Sequence, residues 1–383
     1  MQESKEGDAL LKARFVPFIV ILQSFLLVAH WFLYRTVVAF FAGIDARSRM
    51  VLGIALFLLA ISFVTASVLS FQSSNVLVSI FYRVAAVWMG FLNFLFFAGW
   101  LCWLIWWVIF VAGWKASALP YRPLIGVICL GTAVATGFYG LINARLVRVR
   151  RLRVKLANLP PAWHGRTVLV ASDLHLGHVN RTGFSRRMVA MANQLKPDVV
   201  FIAGDFFDGS KVDAHAAAAP FQKLAAPLGV YFSTGNHDEF GNPRSFLEGV
   251  AASGIRVLAS EKVVVDGLQV LGLHYHDTTN PTRFKTVLDG LKIDRGTASV
   301  LISHVPSHLP IAEQAGIGLQ VSGHTHGGQF LPFTWITNRI FGKFVHGLNA
   351  HGSMQVYTSY GAGTWGPPMR VGTTPEMVLL TFE

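Results

Sequence analysis

Four uncharged apolar stretches fill most of the first 143 residues and decide what that part of the chain can become: Phe15–Tyr34, Met50–Phe71, Val84–Trp114 and Pro123–Asn143. Each has about 20 residues or more, enough to cross the hydrocarbon core of a bilayer as an α-helix. One such run can be a buried core helix; four in succession predict four transmembrane spans. The third is overlong and Trp-rich, which predicts tilt or a late start. The first is too long for a cleaved signal peptide, and no small-residue cleavage site follows it. No Asp, Glu, Lys or Arg lies inside a span, and His30 is the only imidazole there. Transporters and proton pumps usually need intramembrane charge, so this half reads as an anchor or a lipid-access platform.

Charge separates the halves further. The 383 residues carry a net +12. Residues 1–155 hold 15 Lys+Arg against 4 Asp+Glu, a net +11, and residues 156–383 are nearly balanced at +1. The basic residues flank apolar runs, which favours a membrane surface over nucleic acid as the partner. With four spans both chain ends share a side. That side's flanks hold Lys5, Lys12, Arg14, Arg83, Arg145, Arg148, Arg150, Arg151, Arg153 and Lys155, ten in all, against five in the opposite loops. The positive-inside rule then puts the C-terminal half in the cytoplasm, as in an integral protein of a bacterial inner membrane. The basic run from Arg148 reads as a stop-transfer anchor or as a contact with anionic lipid, and the two are compatible. Cys102 and Cys129, the only cysteines, sit inside apolar runs, so a thiolate metal site is excluded and a disulfide framework is not expected.

After residue 155 the pattern changes, and 13 of the 14 histidines lie there. Short β-rich runs at Thr167–Ala171, Asp198–Ala203, Val230–Thr234, Ser299–Ser303 and Gly318–Ser322 alternate with helical stretches, the pattern of an α/β fold. Lys262–Val265 and Gln269–Leu273, joined by Asp266-Gly267, predict a hairpin. The expected domains are 1–155, four spans with a basic juxtamembrane cluster, and 156–383, catalytic. Each β-rich run is followed by polar residues: Asp173-Leu174-His175, Gly204-Asp205-Phe206-Phe207-Asp208, Gly235-Asn236-His237-Asp238, His304, and Gly323-His324-Thr325-His326. Open α/β sheets collect their ligands at such strand ends. Asp173 and His175, like His324 and His326, are two apart and would share a face of an extended strand end. Asp205 has two oxygens with which to bridge two ions, and Asn236 adds a neutral oxygen. The glycines ahead of Asp205, Asn236 and His324 give the backbone room where each strand turns. Imidazole, carboxylate and amide oxygen together suit a first-row transition metal better than calcium. Singly, Asp-x-His reads as a surface loop and Gly-Asn-His-Asp as a turn; five clusters in this order do not.

The set resembles the calcineurin-like metallophosphoesterase superfamily, and within it a membrane-anchored bacterial subgroup. The resemblance covers about residues 156–383. It implies a four-layer α/β/β/α sandwich following the N-terminal all-α transmembrane helices. It also implies two divalent transition-metal ions (Mn, Fe or Zn), one held by Asp173, His175, Asp205 and His326, the other by Asp205, Asn236, His304 and His324. His237 is then placed to protonate the leaving oxygen or stabilise the transition state, and Asp208 resembles the residue that orients it; otherwise Asp208 is a helix N-cap. Tyr360 stands where a basic residue is expected, and Arg370 is the candidate replacement for that phosphate contact. His178 reads equally as a substrate contact and as a loop residue. His274 and His276 either line the pocket or end a surface strand. His164, His215, His308, His346 and His351 are expected to be exposed, and Phe206 and Phe207 to pack beneath the site.

The implied activity is hydrolysis of phosphodiester or pyrophosphate bonds. Two divalent ions would offset the ester's charge and supply hydroxide near neutral pH. The membrane half favours a lipid-linked substrate, and the superfamily includes UDP-2,3-diacylglucosamine pyrophosphatases. The alternatives are a tethered phosphomonoesterase or protein phosphatase, and a non-catalytic scaffold, which commonly loses ligands that are all present here. Orientation is directly testable. A reporter fused after Glu383 should be active as a cytoplasmic marker and silent as a periplasmic one; the reverse would move the domain to the other face.

Overall fold

The computed structural model describes the backbone of residues 2–383 and the side chains from Val16 onward, residue 18 apart. Lys5, Lys12 and Arg14, counted above among the flanking cations, lie outside the described side chains. Helices long and apolar enough to cross a membrane occupy Ile19–Phe40, Ala46–Gln72, Val76–Val111 and Lys115–Arg145. The third starts earlier than expected, at Val76, and runs unbroken through Arg83. The chain divides into two compact units, Met1–Ser70 with Ile80–Tyr139, and Phe71–Ser79 with Gly140–Glu383.

In the first unit the helices meet through small and apolar side chains. One cluster holds Leu26, Ala29, Leu33, Leu56 and Leu92, and a second holds Phe40, Cys102, Trp106, Cys129 and Ala133. His30 is satisfied inside the bundle. Its Nδ1 lies 2.7 Å from the Leu26 carbonyl oxygen, and Trp88 Nε1 donates to its Nε2 at 2.9 Å. Ile21, Phe25, Phe57, Trp107 and Val127 point outward and exposed. Water tolerates such an apolar band poorly, whereas lipid chains match it.

The second unit holds two six-stranded sheets. Strands β1 (Arg148–Val154), β2 (Thr167–Ala171), β3 (Val199–Ala203), β4 (Val230–Ser233), β5 (Arg256–Val257) and β12 (Glu376–Phe382) form one, in the order β1-β12-β2-β3-β4-β5. Strands β6 (Glu261–Val265), β7 (Leu268–Gly272), β8 (Ser299–Ile302), β9 (Leu319–Ser322), β10 (Gly347–His351) and β11 (Met354–Thr358) form the other, in the order β10-β11-β9-β8-β7-β6. The β2-β3-β4 and β7-β8-β9 neighbours run parallel, so their C-terminal ends gather on one edge. The expected hairpin is β6–β7. It pairs Val265 with Leu268 around Asp266 and Gly267, whose φ angles of 43° and 90° suit a two-residue turn.

Three apolar layers separate four layers of structure. Val168, Val170, Val199, Phe201, Val270, Val300 and Val321 lie between the sheets. Met188, Val189, Phe246 and Val250 seal helices Thr182–Leu195 and Pro243–Ala252 on the first sheet. Phe284, Leu288, Leu309 and Ala312 seal Pro281–Gly290 and Leu309–Ala315 on the second. This is the α/β/β/α sandwich.

The division at residue 155 is corrected by β1. The basic run is an edge strand of this unit, paired in parallel with β12 from Arg148↔Glu376 to Val154↔Phe382. Alternation explains its C-terminal part: Leu152 and Val154 share the face turned towards protein, while Arg151 and Arg153 on the other face stay exposed. Arg150 Nε reaches the buried Glu376 carboxylate at 2.7 Å. Glu376 also accepts from Tyr357 Oη at 2.8 Å and lies 3.0 Å from His346 Nε2. A chain starting at Leu156 would leave β12 paired with β2 alone, its other edge open, and Glu376 without its arginine. Relative to a chain starting at Leu146, it should lose roughly 3 kcal/mol or more in a guanidinium titration; equal midpoints would show that β1 adds nothing to the fold.

Candidate metal centre

The clusters leave β2, β3, β4, β8 and β9 on the shared edge, and the backbone does unusual work there. Asp173, His175, Asp205, His324 and His326 all have positive φ, at 52°, 46°, 53°, 70° and 48°. This replaces the extended strand ends expected for Asp173/His175 and His324/His326. Each pair reaches one place because both members are left-handed, not because they share a face of a strand. A non-glycine residue in that region costs about 1–2 kcal/mol. Hydrogen bonds between the loops hold it: Asp173 N to Gly204 O and His175 N to Asp205 O, both 3.0 Å, and Gly323 N to His304 O, 2.9 Å. Close approach explains two of the glycines. A Cβ on Gly204 would stand 2.3 Å from the His304 ring, and one on Gly323 would stand 2.3 Å from Asp173 Oδ2.

The buried donors converge into overlapping groups: Asp173, His175 and His326; Asp205, His304 and His324; and His175, Asp205 and His237. In the first, His175 Nε2 lies 3.0 Å from His326 Nε2, which lies 3.4 Å from Asp173 Oδ1. In the second, His304 Nε2 is 3.1 Å from Asp205 Oδ2 and 3.2 Å from His324 Nδ1, and Asn236 Oδ1 is 3.0 Å from that same Nδ1. Two nitrogens bound near 2.1 Å to one ion with an open tetrahedral or octahedral angle lie about 3.0–3.4 Å apart. The paired imidazoles have this spacing. Asp205 joins the groups through one oxygen: Oδ2 faces His304 and, at 3.6 Å, His175, whereas Oδ1 accepts from His237 N at 2.8 Å.

Electrostatics also suits a cation. Burial pushes the Asp173 carboxyl above its ordinary range, and the Asp205 charge adds to this. Burial works against Asp205 as well, yet the charge and hydrogen bond of His304 hold it well below the carboxylate range. Burial opposes protonation of His304, but the Asp205 charge and hydrogen bond, with the Asp173 charge and the Ala203 carbonyl, together outweigh it and raise His304 to about 9, so a bound ion would have to displace its Nε2 proton. Burial holds His175 and His326 well below the usual imidazole range. Neutral imidazoles around buried carboxylate are a donor set for divalent ions. His304 Nδ1 lies 2.8 Å from the Ala203 carbonyl oxygen, and donation there leaves Nε2 free to face the site.

His237 sits at the edge of this cluster. Its Nδ1 lies 3.0 Å from the main-chain oxygen of Asp208. The Asp208 carboxylate is therefore not the group that orients it, and Asp208 caps no helix. That carboxylate accepts from Ser210, at the backbone N and at Oγ, and at 3.3 Å from His178 N. Phe240 and Trp365 flank the His237 ring, with centroids 5.3 and 5.6 Å away.

The two expected substrate contacts are both spent on protein. His178 is buried, with its Nδ1 2.9 Å from Ser79 Oγ. Arg370 is fully buried, donating to the carbonyl oxygens of Tyr360, Gly363 and His326, with Nη2 3.1 Å from His326 Nδ1. It clamps the His326 loop and offers no contact to an external phosphate. His346, expected to be exposed, is half-buried and stacks on Tyr360 at 3.7 Å. His274 and His276 brace Glu239 at 3.2 and 3.4 Å, and Phe206 and Phe207 are fully buried beneath the site. Asp238 was missed as a working residue. Its two oxygens accept from Phe207 N at 3.0 Å and Gly235 N at 2.8 Å, tying two clusters together. Its place at the end of Gly235-Asn236-His237-Asp238 was the available signal.

A four-layer sandwich with His, Asp and Asn converging at its strand ends is the domain of metal-dependent phosphoester hydrolases. The sequence profile of the calcineurin-like phosphoesterase family matches residues 166–328, and the chain carries a calcineurin-like metallophosphoesterase domain. An uncharacterised metallophosphoesterase of Campylobacter jejuni is 28% identical over 251 residues, 64% of this chain and 66% of its own length. A transmembrane protein with metallophosphoesterase domain from Bos taurus is 31% identical over 293 residues, 70% of this chain and 64% of its own. The chain thus spans just under two thirds of either relative. Among solved structures, a 5′-nucleotidase precursor from Thermus thermophilus aligns over 56% of this chain and 54% of its own, at 16% identity and a TM-score of 0.35.

The shared carboxylate generates a prediction. Asp205→Asn should strip more metal from the purified protein than Asn236→Ala does, because it weakens both donor groups. Equal losses by elemental analysis would end the bridging assignment.

Proposed function

We propose that the protein is a membrane-anchored phosphoesterase that holds two divalent metal ions and cleaves phosphodiester or pyrophosphate bonds, with a lipid-linked substrate. The observation that carries this reading is Asp205 Oδ2, placed between the His304 and His175 imidazoles. Asp173, His175, Asp205 and His326 would hold one ion, and Asp205, Asn236, His304 and His324 the other; Mn, Fe and Zn all suit these donors. When bound, the ions offset the ester's charge and supply the hydroxide nucleophile.

The residues do the rest. Donation from His237 Nδ1 to the Asp208 carbonyl oxygen keeps Nε2 directed away from that loop. As the new P–O bond forms and the ester P–O bond breaks, the doubly protonated His237 ring gives its Nε2 proton to the leaving oxygen and keeps the Nδ1 proton on the Asp208 carbonyl oxygen. Asp238 and Arg370 fix the loops that carry Asn236 and His326, so these groups need no rearrangement to act. The spans and the domain's relatives support membrane attachment, and the charge asymmetry supports a cytoplasmic face in a bacterial inner membrane.

The test uses the intact protein in detergent with Mn(II) and a series of aryl phosphodiesters. His237→Ala should retain its metal and lose about a hundred-fold or more in kcat for a poor leaving group, and much less for nitrophenolate. The grouping of His237 with His175 and Asp205 makes the opposing result concrete: a variant that loses an ion would make His237 a ligand. Absence of hydrolysis of any phosphate ester in the metal-loaded protein would overturn the reading as a whole.

A further inference from the structure

The second unit presents an apolar face that its own fold leaves uncovered. No residue of the helix Phe333–Phe341 is buried. Trp335 is 59% exposed and Ile340 67%, and Phe333 and Ile336 are exposed as well. The helix ends at the site: the Phe341 ring lies 6.2 Å from the ring of His324. Phe240 and Trp365, which flank His237, are also exposed. Apolar groups therefore border the donor cluster beside His237 and again beside His324, where this helix ends. Soluble proteins seldom expose large apolar groups in such a patch without a partner.

Two observations identify the partner. The first is charge. Residues 331–345 contain Arg339 and Lys343 and no carboxylate. Arg339 lies over the Trp335 ring at 5.2 Å, and Lys343 over Phe344 at 5.0 Å. Cations drawn alongside exposed aromatic and aliphatic groups are the composition of an interfacial helix on anionic lipid. The exposed arginines of β1 add to the same charge.

The second is the position of the span ends within this unit. Phe71–Ser79 joins two membrane-length helices, and Gly140–Arg145 completes another. Both stretches are bonded to the loops of the site. Ser79 Oγ meets His178 at 2.9 Å, and Lys211 Nζ donates to Gln72 O at 3.0 Å. Arg370 N donates to Gly140 O at 3.0 Å, and Asn143 Nδ2 donates to Arg370 O and Thr373 O at 3.0 and 2.8 Å. The points at which the chain leaves the hydrocarbon are thus fixed to the same loops that carry the candidate centre, not to the opposite end of the sheets.

We infer that Phe333–Phe341, with Trp365 and Phe240, docks into the headgroup layer of the protein's own bilayer and delivers a membrane-resident phosphate ester to the site. Rim aromatics then accompany the apolar part of the substrate, while its phosphate reaches the donor cluster. This rests on the phosphoesterase reading for its chemistry, but the docking itself does not.

The experiment separates the two. The native cysteines are buried, so a nitroxide can be placed on Ile340→Cys or Ile336→Cys in the full-length protein. The protein is reconstituted in phosphatidylcholine vesicles with about a quarter phosphatidylglycerol. A label at Arg244, on the outer helix Pro243–Ala252, serves as control. Labels at 336 and 340 should be reached by oxygen in preference to a water-soluble nickel chelate, and the control by the chelate. Equal chelate access at all three positions would overturn the docking. Spin–spin broadening between labels at 340 would replace the bilayer with a second copy of the chain and also overturn it.

The functional arm compares phosphatidyl-p-nitrophenol in the vesicles with soluble bis(p-nitrophenyl) phosphate, which share a leaving group. Ile336→Ser combined with Ile340→Ser should lower the ratio of lipid to soluble turnover about ten-fold, because interfacial binding scales with buried apolar area. An unchanged ratio would sink the delivery role. If the native protein cleaves neither ester, the phosphoesterase reading fails, and the label depths still decide the docking.

Discussion

Asp205 is the group on which the rest of the second unit turns. It is almost fully buried, and an unpaired buried carboxylate would cost several kcal/mol. One oxygen is held by the His237 backbone N–H and the other faces two imidazoles from different clusters. Compensation comes only if β2, β3, β4, β8 and β9 end together, because each brings one part of the donor set. The two sheets supply that alignment. Their facing valines and leucines fix the register of the strands, and the register fixes where each loop departs.

The loops store strain that the sheets hold in place. Five left-handed ligand candidates would relax in a free peptide. Here Asp173, His175 and Asp205 are trapped by backbone hydrogen bonds to a neighbouring loop, His324 by its N–H on the Asp173 carboxylate and His326 by Arg370 on its carbonyl oxygen, and glycines leave room where a Cβ would meet another cluster's side chain. Asp238 and Arg370 act in the same sense. Neither is presented to a substrate, yet between them they tie down four segments around the site. A site preorganised in this way does not reorganise as charge develops.

Membrane attachment and the site meet in one compact unit. The helix ends at Gly140–Arg145 and the turn at Phe71–Ser79 belong to it, and they are bonded to the loops around His178 and Arg370. Residues that looked like substrate contacts are thereby occupied in holding span ends against the site. Strand β1 extends the same connection: the chain leaves its last span, pairs with β12, and inserts Arg150 against the buried Glu376.

Much of this was legible in the residues themselves. Hydrocarbon demands long uncharged helices, so the four spans could be read from composition alone, and the short apolar, β-rich runs before each polar cluster marked β2, β3, β4, β8 and β9 to within a residue or two. The donor types followed from chemistry, since Asp, His and Asn in that order have few other uses. What sequence could not carry was anything that depends on a distant neighbour. The basic run from Arg148 looks like a membrane anchor until β12 arrives from more than two hundred residues away to pair with it. Arg370 looks like a phosphate contact until four carbonyl oxygens, three from its own loop and one from His326, enclose it. Asp208 and His237 are close in both views, but only the folded backbone decides that a carbonyl oxygen, not the carboxylate, faces the ring. Local patterning sets which residues can be strand, span or donor; burial and direction are set by what the rest of the chain places against them.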